Sequence, residues 1–452
     1  MDPSTQNLLI GLNRISQERG DSLYLIGGTI RDHLTGRPST DYDFTSPQAP
    51  EIARQWAQQV HRTLVPLDET PGHETYRVVL DKNLFFDFTT LQGKTIEEDL
   101  AQRDFTINAM ALSLADFTDG SKAPVDPFNG QNDLQNKIIR AIPGRAFEED
   151  PLRLLRAFRF AATLQFTIEP ETLARIQKHK DGLNKTAKER VTYELLILLG
   201  ADRSHLDGMD QTGLIEVLFP GLAELKTQKG CRPDTTAWQD TLNAFGELER
   251  TLRRPETFLE PHAPLIKAYL AEHHHYALLK WSALIYALND RNESGMVDTL
   301  KEFRLSNADI QFVVRTLKFS TQVLSESRSA SRGFERDSAV YQLIRQSRSE
   351  LISSLLLSLA IRLGHQEDIA YFVPMLNRIL DFYTEVYIPA QDRPALLDGD
   401  ILKKKFQLKP SPLFKDILDQ VEEARVLGTI HTQEEAEQLA EEWITSQVRL
   451  AE

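Results

Sequence analysis

The chain has 452 residues, 41% of them hydrophobic and 26% charged, the composition of an ordinary globular protein and not of a disordered or fibrous one. No apolar run approaches the roughly 18 residues that cross a bilayer, and the opening residues lack the basic-then-apolar pattern of a secretory signal, so the expectation is a cytoplasmic protein with no membrane association. A single cysteine, Cys231, excludes an intrachain disulfide framework and a Cys-rich zinc site, while a net charge of −14 means that any nucleic-acid partner must be held on confined basic patches.

In chain order, Asn7 to Glu18 reads as an amphipathic helix and Leu23 to Ile26 as a short buried strand ending at Gly27-Gly28. Thr29 to Leu34 has the pattern of a helix N-terminus, and Asp41-Tyr-Asp-Phe44 alternates as a second strand. A helix from Pro50 to Gln59 follows, then strands at Thr63 to Pro66, Tyr76 to Leu80 and Leu84 to Phe88. From Pro151 onward strand signals nearly vanish. Apolar residues at helical spacing recur in Leu152 to Leu164, Pro170 to Lys178, Lys188 to Leu199, Ala277 to Leu288 and Leu351 to Leu363. The expected fold class is α+β, a small mixed β-sheet with helices followed by an all-helical remainder.

The chemistry concentrates in the first part. Gly27 and Gly28, between a strand and a helix, let backbone N–H groups approach a phosphate chain at the positive end of a helix dipole. Asp41 and Asp43, one residue apart on a strand, point to one face and suit a divalent metal through hard oxygen ligands. Two metals held in this way activate an attacking hydroxyl and stabilise a leaving pyrophosphate. Each element alone is commonly a plain turn or a solvated strand face. Their order, with Arg31, Asp32 and Arg37 between them, favours the catalytic reading. Asp87 stands in the aromatic run Leu84-Phe-Phe-Asp-Phe88, either as an edge-strand surface charge or as a buried carboxylate that needs a partner or a metal.

The next block is Arg103-Asp-Phe-Thr-Ile-Asn-Ala-Met-Ala-Leu112. It is followed by Asp126-Pro-Phe-Asn-Gly130, Asp133-Leu, Ile139-Arg140, Phe147-Glu-Glu-Asp-Pro-Leu-Arg-Leu-Leu-Arg-Ala-Phe-Arg-Phe160 and Glu189-Arg-Val-Thr-Tyr-Glu194. With the glycine block, these resemble the class II tRNA nucleotidyltransferase and bacterial poly(A) polymerase family, in family order over roughly the first 200 residues. The resemblance implies a polymerase-beta-like nucleotidyltransferase head over 1–140 and a helical neck with a base-reading motif over 141–200. A helical body over 201–390 and a helical, tRNA-binding tail over 391–452 complete the expected organisation. It implies triphosphate contacts from Gly27, Gly28 and Arg31, metal ligation by Asp41 and Asp43, and catalytic participation of Asp87. Arg103, Asp104 and Asn108 fall in the block for ribose and phosphate contacts, and Glu149, Asp150 and Arg153 in the block that reads the incoming base.

The base-reading role also has a physical rationale. Asp150 offers an acceptor to the exocyclic amine of C or A, and Arg153 offers donors to ring acceptors. The competing reading makes Asp150 a helix N-cap with Pro151 at N1. Arg153, Arg156 and Arg159 share a helix face and either pair with acids or form an anion-binding stripe; beside a triphosphate the stripe is the expectation.

The implied activity is template-independent addition of C and/or A to the tRNA 3′ end from CTP and ATP with Mg²⁺, with no obligate protein partner. The short segment between Asp87 and Arg103 resembles members that add only CC, since full CCA-adding members usually carry a longer flexible segment there. Complete CCA addition stays open, and poly(A) synthesis or addition of A alone is the alternative. No His-Asp pair for a phosphohydrolase site occurs in the body. His273-His-His275 is expected to be no ligand cluster, because consecutive helical residues point apart. RNA-contact candidates are Arg328, Arg332 and Arg336 and, in the tail, Lys403, Lys404, Lys405, Lys409 and Lys415.

Overall fold

The structure is a computed structural model that describes residues 3–120, 122–272, 274–288, 293–328, 333–406 and 412–451. The chain divides into two compact units, Met1–Pro220 and Gly221–Glu452.

The first unit is built on a six-stranded sheet. Its strands are β1 (Tyr24–Ile26), β2 (Asp41–Ser46), β3 (Leu64–Asp68), β4 (Thr75–Asp81), β5 (Leu84–Thr90) and β6 (Ala111–Ser113), in the order β3-β4-β5-β2-β1-β6. Only β2 and β5 run parallel; the other pairs are antiparallel. Period-2 alternation sorts the side chains of β2 and β5. Tyr42, Phe44, Phe86 and Phe88 are buried on one face, where Trp56 of the Ala49–Gln59 helix stacks on Phe86. Each such side chain contributes about 2–3 kcal/mol by leaving water. Asp41, Asp43 and Asp87 fall on the opposite face, with Asp43 directly beside Asp87 in register. The packed aromatic face therefore holds the three carboxylates in place.

Two features depart from the sequence reading. Strand β6 begins at the end of the block Arg103 to Leu112 and completes the sheet beside β1. Beyond Pro151, where strand signals fade, Thr167–Ile168 pairs in parallel with Ile138–Ile139. Both are too short to display a period of two. Nor is β5 an edge strand, since β4 and β2 flank it.

The helix Leu152–Leu164 has the expected bounds and ends at Gln165, which takes a left-handed φ of 60°. The helix Lys188–Gly200 packs against it. In the second unit, among the described residues, there are no strands. Its core forms around Ala237–Arg253, His275–Ile285, Asn307–Arg328 and Leu351–Gly364, the last buried nearly all round. Gly399–Lys405, Pro412–Val426 and Gln433–Ala451 gather on a small core that includes Leu402, Ile417, Val421 and Ala436. Among the described residues no helix is long and apolar enough to cross a membrane.

Candidate active site

The carboxylate face of the sheet opens into a cleft of about 670 Å³, of the size that holds a nucleotide-scale ligand. Of the catalytic and nucleotide-binding candidates singled out in the head and neck, all but Glu149 line it; Arg37, between the glycines and Asp41, also stays outside. Gly27 shows why the turn needs glycine. Its φ is 63°, and a Cβ there would stand 3.4 Å from an Arg103 guanidinium nitrogen and 3.7 Å from Asp43 Oδ2. The backbone thus passes directly over the charged groups at the start of the Gly28–Leu34 helix.

At one end lie the carboxylates. The backbone of this end is fixed by Thr29, whose Oγ1 donates to the Asp41 carbonyl at 3.3 Å and accepts the Asp43 N–H at 2.9 Å. Burial pushes the Asp43 carboxyl up to about 6; Arg103 works against this, and Asp87 and Asp41 add to it. Burial also raises Asp41, opposed by Arg77 and reinforced by Asp87. Among the described residues neither Asp41 nor Asp43 makes an ion pair. Hard oxygen donors crowded on one face and lacking a counter-charge of their own fit a divalent cation. Asp87 is different. Arg77, opposite it on β4, grips it with two bonds of 2.8 and 2.7 Å. The partner that a carboxylate among aromatics requires is thus Arg77, a residue the sequence reading missed.

From the carboxylates a chain of charge-assisted hydrogen bonds runs into the neck. Arg31 pairs with Asp32 and donates to Asn108 Oδ1 at 2.8 Å. Asn108 donates to Asp104 at 3.0 Å, and Arg156 closes on Asp104 at 2.7 Å and on Glu194 at 3.0 Å. Arg159 meets the other Glu194 oxygen at 2.8 Å and lies over the Phe160 ring. Burial opposes the charge on Asp104, but Arg156, Asn108 and the Phe105 N–H outweigh it and hold this carboxyl below its usual range. Of the two readings of the arginine face, Arg156 and Arg159 take the pairing with acids, so they are not a free cationic stripe. Glu194, which is almost fully buried and gathers both, went unassigned in the sequence. Its signals were its place at the end of the Glu189 to Glu194 block and a carboxylate beside apolar helical residues.

Asp150 and Arg153 sit at the neck end of the cleft. Asp150 Oδ1 accepts the Leu152 N–H at 3.2 Å, which caps the helix, and its other oxygen pairs with Arg190 at 2.9 Å. Arg153 donates to the carbonyls of Gln102 (2.6 Å), Arg103 (3.3 Å) and Ala146 (3.3 Å). Glu149 stays 4.0 Å from Arg153 with its side chain half exposed.

With this geometry in view, three family models match in succession: "Poly A polymerase head domain" over residues 23–140, "Probable RNA and SrmB-binding site of polymerase A" over 165–226, and "tRNA nucleotidyltransferase domain 2" over 273–438. The chain belongs to the class II tRNA nucleotidyltransferase and poly(A) polymerase family. Family membership implies dependence on a divalent metal. A CC-adding tRNA nucleotidyltransferase of Geobacter sulfurreducens is 43% identical over 41% of this chain and 42% of its own length, so the match spans less than half of that relative. An A-adding tRNA nucleotidyltransferase of Deinococcus radiodurans is 29% identical over 93% of this chain and 95% of its own. The solved Thermotoga maritima CCA-adding enzyme complexed with tRNA has the same fold, with a TM-score of 0.68, 22% identity and coverage of 99% of this chain and 96% of that one.

Elsewhere the candidates divide. In the tail, Lys403, Lys404, Lys405 and Lys415 are exposed, Lys403 pairing with Asp400 and Lys405 with Glu437; Lys409 lies outside the described residues. Arg328 pairs with Glu367, Arg336 is exposed, and Arg332 lies outside the described residues. His275 stacks on Phe312 with its Nδ1 2.9 Å from the Tyr269 carbonyl, a packed side chain; His273 also lies outside.

Proposed function

We propose that this protein extends the 3′ end of tRNA by untemplated addition of C, using CTP, and stops before the terminal A. The observation that carries the transfer reaction is the pairing, in one cleft, of the uncompensated Asp41 and Asp43 carboxylates with the Arg31 and Arg103 cations. The RNA 3′-hydroxyl oxygen attacks the α-phosphorus of the nucleotide, pyrophosphate leaves, and the hydroxyl proton is lost. Asp41 and Asp43 hold Mg²⁺, which supplies Lewis-acid stabilisation of the reacting oxygens when bound. The Gly27-Gly28 backbone, Arg31 and Arg103 bind and orient the triphosphate. Asp87, held rigid by Arg77, adds a third carboxylate beside the pair. Asp150 and Arg153 read the base edge, and U and G would set a carbonyl against the Asp150 acceptor.

The stop before A rests on the segment after Asp87. It is folded: Thr95 caps the Ile96–Leu100 helix by accepting the Glu98 N–H, and Asp99 accepts the Gln92 N–H at 3.0 Å and pairs with Arg103 at 3.0 Å. The next residues, Gln102 and Arg103, supply two of the carbonyls that hold Arg153. A base-reading arginine tied to a rigid segment keeps one setting, which supports C without a switch to A.

The test uses tRNA ending at the discriminator base, with CTP and ATP supplied separately and together with Mg²⁺, and products resolved at single-nucleotide length. Two added cytidines and arrest are expected. A third addition from ATP would overturn the stop, and no extension under any condition would overturn the activity.

A further inference from the structure

The Gly221–Glu452 unit contains a second constellation of metal-ligand type. Cys231, Asp240 and His365 bring a thiol, a carboxylate oxygen and a ring nitrogen within 4.8 Å of one another. Each comes from a different element. Cys231 lies in the tight turn closed by the Lys229–Thr236 bridge, Asp240 in the first turn of Ala237–Arg253, and His365 directly after Leu351–Gly364.

The packing fixes all three. A Cβ on Gly364 would fall 2.4 Å from the Ala244 backbone nitrogen, so the two helices meet backbone to backbone where Asp240 and His365 converge. A Cβ on Gly230 would fall 2.4 Å from Asp240 Oδ2, so the turn is seated on that carboxylate. The same oxygen accepts the Cys231 N–H at 2.6 Å.

Pinning the turn accounts for Oδ2 of Asp240, and the Thr235 hydroxyl and Cys231 thiol lie beside the same carboxylate. Asp240 is 3% exposed, and its Oδ1 has no hydrogen-bond partner. His365 Nδ1 is likewise buried without a hydrogen bond. Its nearest acid, Glu367, is 3.6 Å away, beyond hydrogen-bond length. Leaving a buried acceptor unsatisfied costs about 1–3 kcal/mol, so two such atoms beside a thiol call for an explanation. The Tyr286 hydroxyl, 3.0 Å from His365 Nε2, fixes the ring and leaves Nδ1 for a ligand, as an outer partner does in metal sites. A nucleophilic cysteine is the competing reading. It fails because the thiol faces the Asp240 carboxylate, whose negative charge disfavours the free thiolate a nucleophile needs.

We propose that Cys231, Asp240 and His365 form a three-ligand site for a borderline-soft divalent cation, zinc above all, with the fourth position open to water. One thiolate, one imidazole and one carboxylate select zinc over magnesium. The absence of other cysteines rules out a Cys-rich site but not a mixed one. Zinc-ligand distances of about 2.0–2.3 Å place tetrahedral neighbours roughly 3.3–3.8 Å apart, so the groups draw together by about 1 Å on loading. The thiol proton passes to solvent, and the exposed Cys231 provides the entry path. The bound ion ties the turn to the junction of the two helices and strengthens the unit.

The experiment uses the full-length chain carrying Asp41→Ala and Asp43→Ala, so that the head contributes no competing site. After removal of metal by a chelator, it is titrated with Zn²⁺ against a chromophoric chelator and with Co²⁺ by absorption. One equivalent of each is expected, with a thiolate-to-cobalt charge-transfer band and a higher Tm on zinc addition. Cys231→Ser removes the band and weakens zinc on the order of 100-fold or more. Because Cys231 is exposed, its metal-free Tm stays unchanged, and His365→Gln gives a second, independent arm with the same loss of zinc. A stoichiometric cobalt complex without the charge-transfer band overturns the site, as does zinc binding that neither substitution weakens.

Discussion

In the Met1–Pro220 unit the partly buried charges are joined end to end, from Asp32 through Arg31, Asn108, Asp104 and Arg156 to Glu194 and Arg159. In the Gly221–Glu452 unit, among the described residues, comparable charges form smaller groups, such as Glu367 with Arg328 and Arg362. Lys280, fully buried, meets Glu249 at 2.9 Å, and Arg315 meets Glu350 at 2.8 Å. Each such group joins neighbouring helical elements and lies outside the cleft. In the first unit most of the chain lines the cleft, from Asp32 and Arg31 to Arg156 and Arg159, so a change at one member is felt along the rest. The contrast sets an extended network that lines a cleft against smaller groups that join helices.

The largest effect tests the carboxylates that share this cleft and make no ion pair among the described residues. Asp41→Ala removes one carboxylate of the metal pair and is expected to lower nucleotide addition by about 10³-fold or more, the equivalent of about 4 kcal/mol in the barrier. tRNA affinity, measured by filter binding, should change little. Near-normal extension by this variant would place the metal elsewhere.

The next pair of variants addresses the contrast itself. Glu194→Gln leaves Arg156 and Arg159 undercompensated. It should cost about 2 kcal/mol of stability, below the roughly 3–5 kcal/mol of a fully buried pair, because 31% of the Arg156 side chain is exposed. It should also relax the choice of C over other bases, since Arg156 also holds Asp104. Glu249→Gln removes the carboxylate that the buried Lys280 meets and should cost about 3 kcal/mol, with nucleotide choice untouched. Denaturant melts together with misincorporation assays separate the two. Equal effects on fidelity would erase the distinction between connected and isolated charge.

How much of this was legible in the sequence follows from how far apart the cooperating residues lie. Gly27-Gly28 and Asp41-x-Asp43 are local patterns whose spacing alone sets their direction, so both the strand and its chemistry could be read. The base-reading block was legible through family resemblance, and as a helix start through Pro151. Arg77 and Glu194 were not, because their roles arise from cross-strand and cross-helix pairing that no short window contains. The strands Ala111–Ser113 and Thr167–Ile168 escaped because two or three residues show no period. Cys231 and Asp240 are neighbours in one turn and helix start, but His365 lies far along the chain and joins them only where Gly364 lets two helices touch.

A smaller effect follows from the raised Asp43 carboxyl. A carboxyl whose folded pKa is raised gains a proton more readily in the folded state, so the metal-free head loses stability as pH rises through about 6. Metal binding relieves that loss and must displace the proton below it. The Tm gain from Mg²⁺ should therefore be larger near neutral pH than at about pH 5. A gain independent of pH would separate Asp43 from the metal.

The smallest effect lies in the tail and asks whether exposed charge there acts at all. Lys403 and Lys405 already meet Asp400 and Glu437, so they offer less to a phosphate than Lys404 and Lys415, which make no ion pair among the described residues. If this surface contacts the tRNA backbone, Lys404→Ala and Lys415→Ala should each weaken tRNA binding about equally for all tRNA sequences. Each should also reduce the slope of log affinity against log salt by about 1. The rate at saturating tRNA should hold, because neither residue belongs to the cleft. Lys403→Ala provides the internal control, since an ammonium already neutralised by Asp400 releases fewer counterions when RNA arrives. A uniform response from all three lysines would mean that local pairing does not decide which tail charges work, and that only the total positive charge of the segment matters.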